Sequence, residues 1–66
     1  MNKYQINEDH IKYYQYLEHL RKSGKTNMYG ASLWLESEYG LDKDKARTIL
    51  AEWMNNYNEL NTRFGW

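Results

Sequence analysis

Sixty-six residues carrying nine basic and nine acidic side chains, without cysteine or proline, allow one small domain and no P-loop nucleotide-binding domain or barrel. Chains of this length bury only about 60% of their unfolded surface. With no thiol there is neither a disulfide nor a thiolate zinc site, so packing alone must hold the core. No apolar run approaches the roughly 20 residues of a membrane span, and no signal-peptide core is apparent. Zero net charge argues against strong non-specific nucleic-acid binding. An aromatic content of 17%, with seven Tyr and three Trp, argues for a folded chain.

Glycines divide the sequence. The first segment predicts a helix over 7–23. Asn7 suits the N-cap, Glu8 and Asp9 the positive end, and Arg21 and Lys22 the negative end. Gly24 stands where a left-handed C-terminal residue is wanted. Ile6, Tyr13, Leu17 and Leu20 form its apolar line, with His10 on the line and Tyr14 beside it. The second helix is expected over 30–39, beginning after Gly30, with Asn27 to Tyr29 as a structured turn. Met28, Ala31 and Leu35 share its inner face, flanked by Trp34 and Tyr39. The third, over 42–59, has Asp42 as N-cap and the cleanest stripe: Ala46, Ile49, Leu50, Trp53, Tyr57 and Leu60. Asp44, Lys45, Arg47, Thr48 and Glu52 fall outside that stripe. Residues 61–66 show no period and read as a tail. The expected fold is all-α: one compact three-helix domain over 1–66, its second and third helices spaced like a helix-turn-helix.

Catalytic patterns are missing. Gly24-Lys25-Thr26 ends like a P-loop, but His19 occupies the place of the earlier glycine, and no strand precedes it. His10 and His19 are nine apart, on opposite faces of a helix, and share no metal. His10 reads as a hydrogen-bonded packing residue. Asp42 and Asp44 do not open a calcium loop, because Arg47 and Trp53 stand where glycine and glutamate are needed. Glu36 and Glu38 point about 200° apart on a helix, and neither Ser32 nor Ser37 has an activating base at helical spacing. The expectation is no enzyme, no cofactor and no metal.

The stretch 40–50 resembles the turn and recognition helix of helix-turn-helix proteins. Gly40 takes the turn position, Leu41 the apolar position after it, and Ala46 and Ile49 the buried ones. The resemblance implies Asp42, Lys43, Asp44, Arg47, Thr48 and Ala51 facing DNA. Glu36 departs from the pattern, which wants a small residue there, and the two aspartates repel phosphate. A broader resemblance covers 16–54. Thr26-Asn27-Met28-Tyr29-Gly30-Ala31, Glu38-Tyr39-Gly40-Leu41, Ala46-Arg47 and Glu52-Trp53-Met54 are similar to words in a family of small bacteriophage and prophage proteins. That likeness implies a short helical protein in the cytoplasm of an infected or lysogenic bacterium, and carries no catalytic residue.

The expected core is Ile6, Tyr13, Leu17, Leu20, Met28, Ala31, Leu35, Leu41, Ala46, Ile49, Leu50, Trp53 and Tyr57. Tyr4, Tyr16, Tyr29, Trp34, Phe64 and Trp66 are then surplus, and Tyr and Trp are residues that interfaces favour. The charges, three acidic against three basic over 7–23 and again over 41–57, read as a solvated face, with Glu8 and Lys12 an i,i+4 pair. The leading expectation is a phage accessory protein, a monomer or weak homodimer, that binds a host or phage protein through Tyr29, Trp34, Phe64 and Trp66. The alternative is a DNA-binding regulator using Lys43, Lys45, Arg47 and Thr48.

Overall fold

The computed structural model of the chain describes residues 4–25, 27 and 30–66. Among these the secondary structure is helical throughout: a 3-10 turn at Glu8–His10, then α1 (Ile11–Ser23), α2 (Ala31–Tyr39), α3 (Lys43–Asn55) and α4 (Tyr57–Phe64). The all-α class stands, with four α-helices in place of three. Thr26, Met28 and Tyr29 lie outside the described residues, so the expected turn contributes only Asn27, whose side chain accepts from the Gly30 N–H at 2.9 Å.

The predicted caps form. Asn7 accepts from the Asp9 N–H at 2.8 Å, and Asp42 accepts from the Lys45 N–H at 2.7 Å. Gly24 and Gly40 end α1 and α2 with φ of 69° and 65°, a region that favours residues without a Cβ. The helix expected from residue 7 opens instead with a 3-10 turn, closed by the His10 N–H on the Asn7 carbonyl at 2.9 Å. Such tighter turns are common at helix starts.

The main departure is at Asn56. The expected helix 42–59 divides there, at φ −117° and ψ 18°. The Asn56 side-chain amide donates to the Tyr4 carbonyl at 2.6 Å and to the Glu52 carbonyl at 2.8 Å. An asparagine bonded to the main chain in this way competes with helix continuation. The expected tail is corrected too: 57–64 is helical, and Gly65 caps it at φ 68°.

α3 is the hub, with α2, α1 and α4 all packed on it. The buried core is Tyr13, Tyr14, Leu17, Leu20, Ala31, Leu35, Ala46, Ile49, Leu50, Trp53 and Leu60. Ile6, Leu41 and Tyr57 pack at its margin, half-buried; Met28 lies outside the described residues. Tyr14 and Leu60, absent from the expected core, are completely buried. The bend at Asn56 swings Leu60 inward, and Tyr14 is drawn in by its hydrogen bonds. Tyr39 ties α2 to α1, edge-to-face on Tyr13 at 4.9 Å and on Tyr16 at 5.4 Å.

Candidate functional site: the groove between α2 and α3

Two carboxylates are not on a solvated face. Glu52, outside the apolar stripe of α3, is buried beneath the N-terminal segment. One of its oxygens lies 2.8 Å from His10 Nδ1 and accepts from the Tyr14 hydroxyl at 2.6 Å. The Tyr14 oxygen in turn accepts from the Asn7 N–H at 3.1 Å. Burial, then the bond to the Glu52 carboxylate, pushes the Tyr14 hydroxyl well above the usual tyrosine range. His10 therefore plays the packing, hydrogen-bonded role its position suggests. The cluster cross-ties the N-terminal segment to α3.

Glu18 is the second. Arg21 grips it with two bonds of 2.9 and 2.7 Å, the Tyr57 hydroxyl donates to it at 2.9 Å, and Lys22 stands 3.8 Å away. The Arg21 guanidinium holds the Glu18 carboxyl below its usual range, with burial opposing and the Tyr57 bond assisting. Glu8 does not pair with Lys12. It meets Arg63 in a two-pronged bond of 2.7 and 2.6 Å, because residues 8–10 are in a 3-10 turn rather than the α-helix that an i,i+4 pair needs.

The opposite side of the molecule is built differently. A groove of about 340 Å³ runs between α2 and α3. Ser32, Leu33 and Glu36 form one wall; Lys43, Arg47, Leu50, Ala51 and Met54 form the other. Leu33 is 66% exposed and Met54 38%. Apolar surface thus lies open beside two cations, and among the described residues no ion pair holds Lys43 or Arg47. Chemically this is a place for an apolar side chain with an acidic neighbour.

Of the four aromatics singled out for a partner, Trp34 is 38% exposed on α2, beside the groove. Tyr29 lies outside the described residues. Phe64 and Trp66 fold back: their rings stack at 5.5 Å, Trp66 lies 6.0 Å from Tyr57, and both pack on the core margin. The four side chains of the DNA alternative are all exposed but do not converge. At about 100° per residue, Lys43 and Arg47 lie on the groove side of α3, while Thr48 and Lys45 extend the set over roughly 200° of the helix. Asp42 is engaged as the N-cap of α3, and Ala51 lines the groove. The sequence named neither Leu33 nor Met54 as a site residue, although Met54 stands in one of the phage-like words. The available signal was the uncharged run 30–35, apolar on both sides of a helix.

Among the described residues no group of three or more His, Asp or Glu side chains is placed to hold a metal ion, and no helix is long and apolar enough to cross a membrane. No family model, curated protein or solved structure matches the chain.

Proposed function

We propose that this chain is a small, non-enzymatic protein-binding module that engages a host or phage protein through the groove between α2 and α3. The observation that carries the reading is the coincidence of exposed Leu33 and Met54 on facing walls with two cations, Lys43 and Arg47, that hold no ion pair among the described residues, at the same groove. Elsewhere in the fold charges near the core are paired. The occupant suited to it is a helical or extended segment presenting an apolar anchor next to Asp or Glu, a common mode of peptide recognition. The phage-like words at 26–31, 38–41 and 52–54 suggest where to look for that partner.

The test is affinity capture from candidate host and phage-infected lysates with wild type, Met54→Glu and Arg47→Glu in parallel. A specific protein retained by wild type and lost by both variants supports the module. A captured protein indifferent to both variants removes the groove from its function. The DNA alternative is favoured by the exposure of Lys43, Lys45, Arg47 and Thr48 after the Gly40 turn. A low-salt anisotropy titration decides it: each neutralised phosphate steepens the salt dependence by about 0.9 log units, so tight, salt-sensitive binding abolished by Arg47→Ala replaces the protein-binding reading.

A further inference from the structure

The groove between α2 and α3 is charged on both walls, with opposite signs. Glu36 stands half-buried on the α2 wall, and Lys43 and Arg47 are exposed on the α3 wall. Among the described residues none of the three holds an ion pair, although Glu8 and Glu18 do. The walls thus keep an acid and two bases apart, neither sign satisfied by the other. The turn 40–42 joins the end of α2 to the start of α3. Glu36, Lys43 and Arg47 therefore share the end of the groove nearest the turn, and Leu33 and Met54 the far end.

The backbone of the walls decides the shape of an occupant. Both walls are α-helices. An extended segment laid between them finds no row of free N–H and C=O groups to pair with. A helix arrives with its own backbone bonds already made and needs only side-chain contacts.

We infer that the occupant of this groove is an amphipathic helix of a partner protein, with flanks of opposite charge on either side of an apolar seam. The seam rests on Leu33, Leu50 and Met54. Asp or Glu lines the flank against Lys43 and Arg47, and Lys or Arg lines the flank against Glu36. The inference rests on the groove being the binding surface and narrows its partner to one class. Residues 43–54 span roughly 16 Å along α3, which matches about three turns of a docked helix. A helix acidic on both flanks is repelled by Glu36, and one basic on both by Lys43 and Arg47, so the walls select against both. Exposed ion pairs add little affinity each. The charges therefore set the choice of partner, and the apolar seam sets the strength.

Fluorescence anisotropy of labelled peptides against the intact chain tests this. Three designed helices share a leucine seam, each stapled on its outer face because short free helices are marginal in water. They differ only in their flanks: glutamate on one and lysine on the other, glutamate on both, or lysine on both. The mixed-flank helix should bind about fivefold tighter than the other two, the upper range for exposed ion pairs. Glu36→Lys should move the preference to the all-glutamate helix. Lys43→Glu with Arg47→Glu should move it to the all-lysine helix, the circular dichroism of both variants staying unchanged. Equal binding of the three helices, or preferences untouched by these charge reversals, overturns the inference. So does binding of none up to about 1 mM. In each of those cases a protein captured from lysate and lost on Met54→Glu still upholds the groove as the binding surface, whereas capture indifferent to Met54→Glu removes the groove itself.

Discussion

The side of the molecule where α1, α4 and the N-terminal segment meet α3 differs sharply from the side formed by α2 and the outer face of α3. On the first, acids have found partners: Glu52 with His10 and Tyr14, Glu18 with Arg21 and Tyr57, Glu8 with Arg63. Its aromatics are in contact in series, Trp53 on Tyr57 at 5.1 Å and Tyr57 beside Trp66, which stacks on Phe64. On the second, Leu33, Trp34 and Met54 stand open and Lys43 and Arg47 lack ion pairs among the described residues. In so small a domain, polar pairing and aromatic cover serve to hold the chain ends to α3. The other side is left with surface that holds nothing together, which suits it to meet another molecule.

The comparison predicts that substitutions on the first side unfold the protein and those on the second leave it folded. Trp53 lies 3% exposed in the core, so Trp53→Ala should cost about 3–5 kcal/mol. That is most of the stability of a domain this small, and thermal denaturation should show little cooperative folding at 37 °C. Among the described residues the Trp53 indole N–H has no hydrogen-bond partner. Trp53→Phe, which keeps a ring and deletes that donor, should therefore cost much less. Equal losses from the two variants would mean that the indole's shape alone matters.

Tyr14→Phe comes next. It removes the donor to Glu52 and the acceptor of the Asn7 N–H, and should cost about 1.5–3 kcal/mol in urea denaturation. Retention of full stability would remove the cross-tie from the account.

Acid should act through the same side. Arg21 holds the folded Glu18 carboxyl below its usual value of 4.5, so in that interval the unfolded state binds more protons than the folded one. Glu18's contribution is complete above pH 4.5 and is lost as pH falls through its lower, folded value. Melting temperature should decline across that acid window, and Glu18→Gln should flatten the decline. A slope unchanged by Glu18→Gln would point to other carboxylates.

Asp42→Ala, which removes the N-cap of α3, should cost about 1 kcal/mol. Smallest of all, Leu33→Glu and Met54→Glu should change unfolding free energy by no more than about 0.5 kcal/mol, as exposed substitutions do. A loss several times larger at either would place it in the core and erase the contrast between the two sides.

Much of this fold was legible locally. Asn7, Gly24, Gly40 and Asp42 mark helix ends through interactions that reach at most four residues, so their roles follow from neighbours in the chain. The stripes Tyr13-Leu17-Leu20 and Ala46-Ile49-Leu50-Trp53 follow from the helical period, and so does the placement of His10 on the apolar line. The candidate site was only partly legible: Trp34 and the exposed cations Lys43 and Arg47 could be named in advance, whereas Leu33 and Met54 gained meaning only when α2 and α3 were set side by side.

What only the tertiary structure decided involves partners far apart in sequence. The break at Asn56 depends on a carbonyl at Tyr4, 52 residues away, and no local propensity reports such a bond. Glu52 and Glu18 look solvated in sequence because carboxylates usually are. They are buried here because Tyr14 and His10 in one case, and Arg21 and Tyr57 in the other, supply the hydrogen bonds that burial removes from water. Trp66 is drawn onto Tyr57, and Phe64 onto Trp66, by the same bend that carries Leu60 into the core. The sequence by itself thus determined which segments are helical, because capping and periodicity act within a few residues. Which charges are hidden and which apolar side chains stay open was decided by packing, because both depend on what the rest of the chain brings alongside.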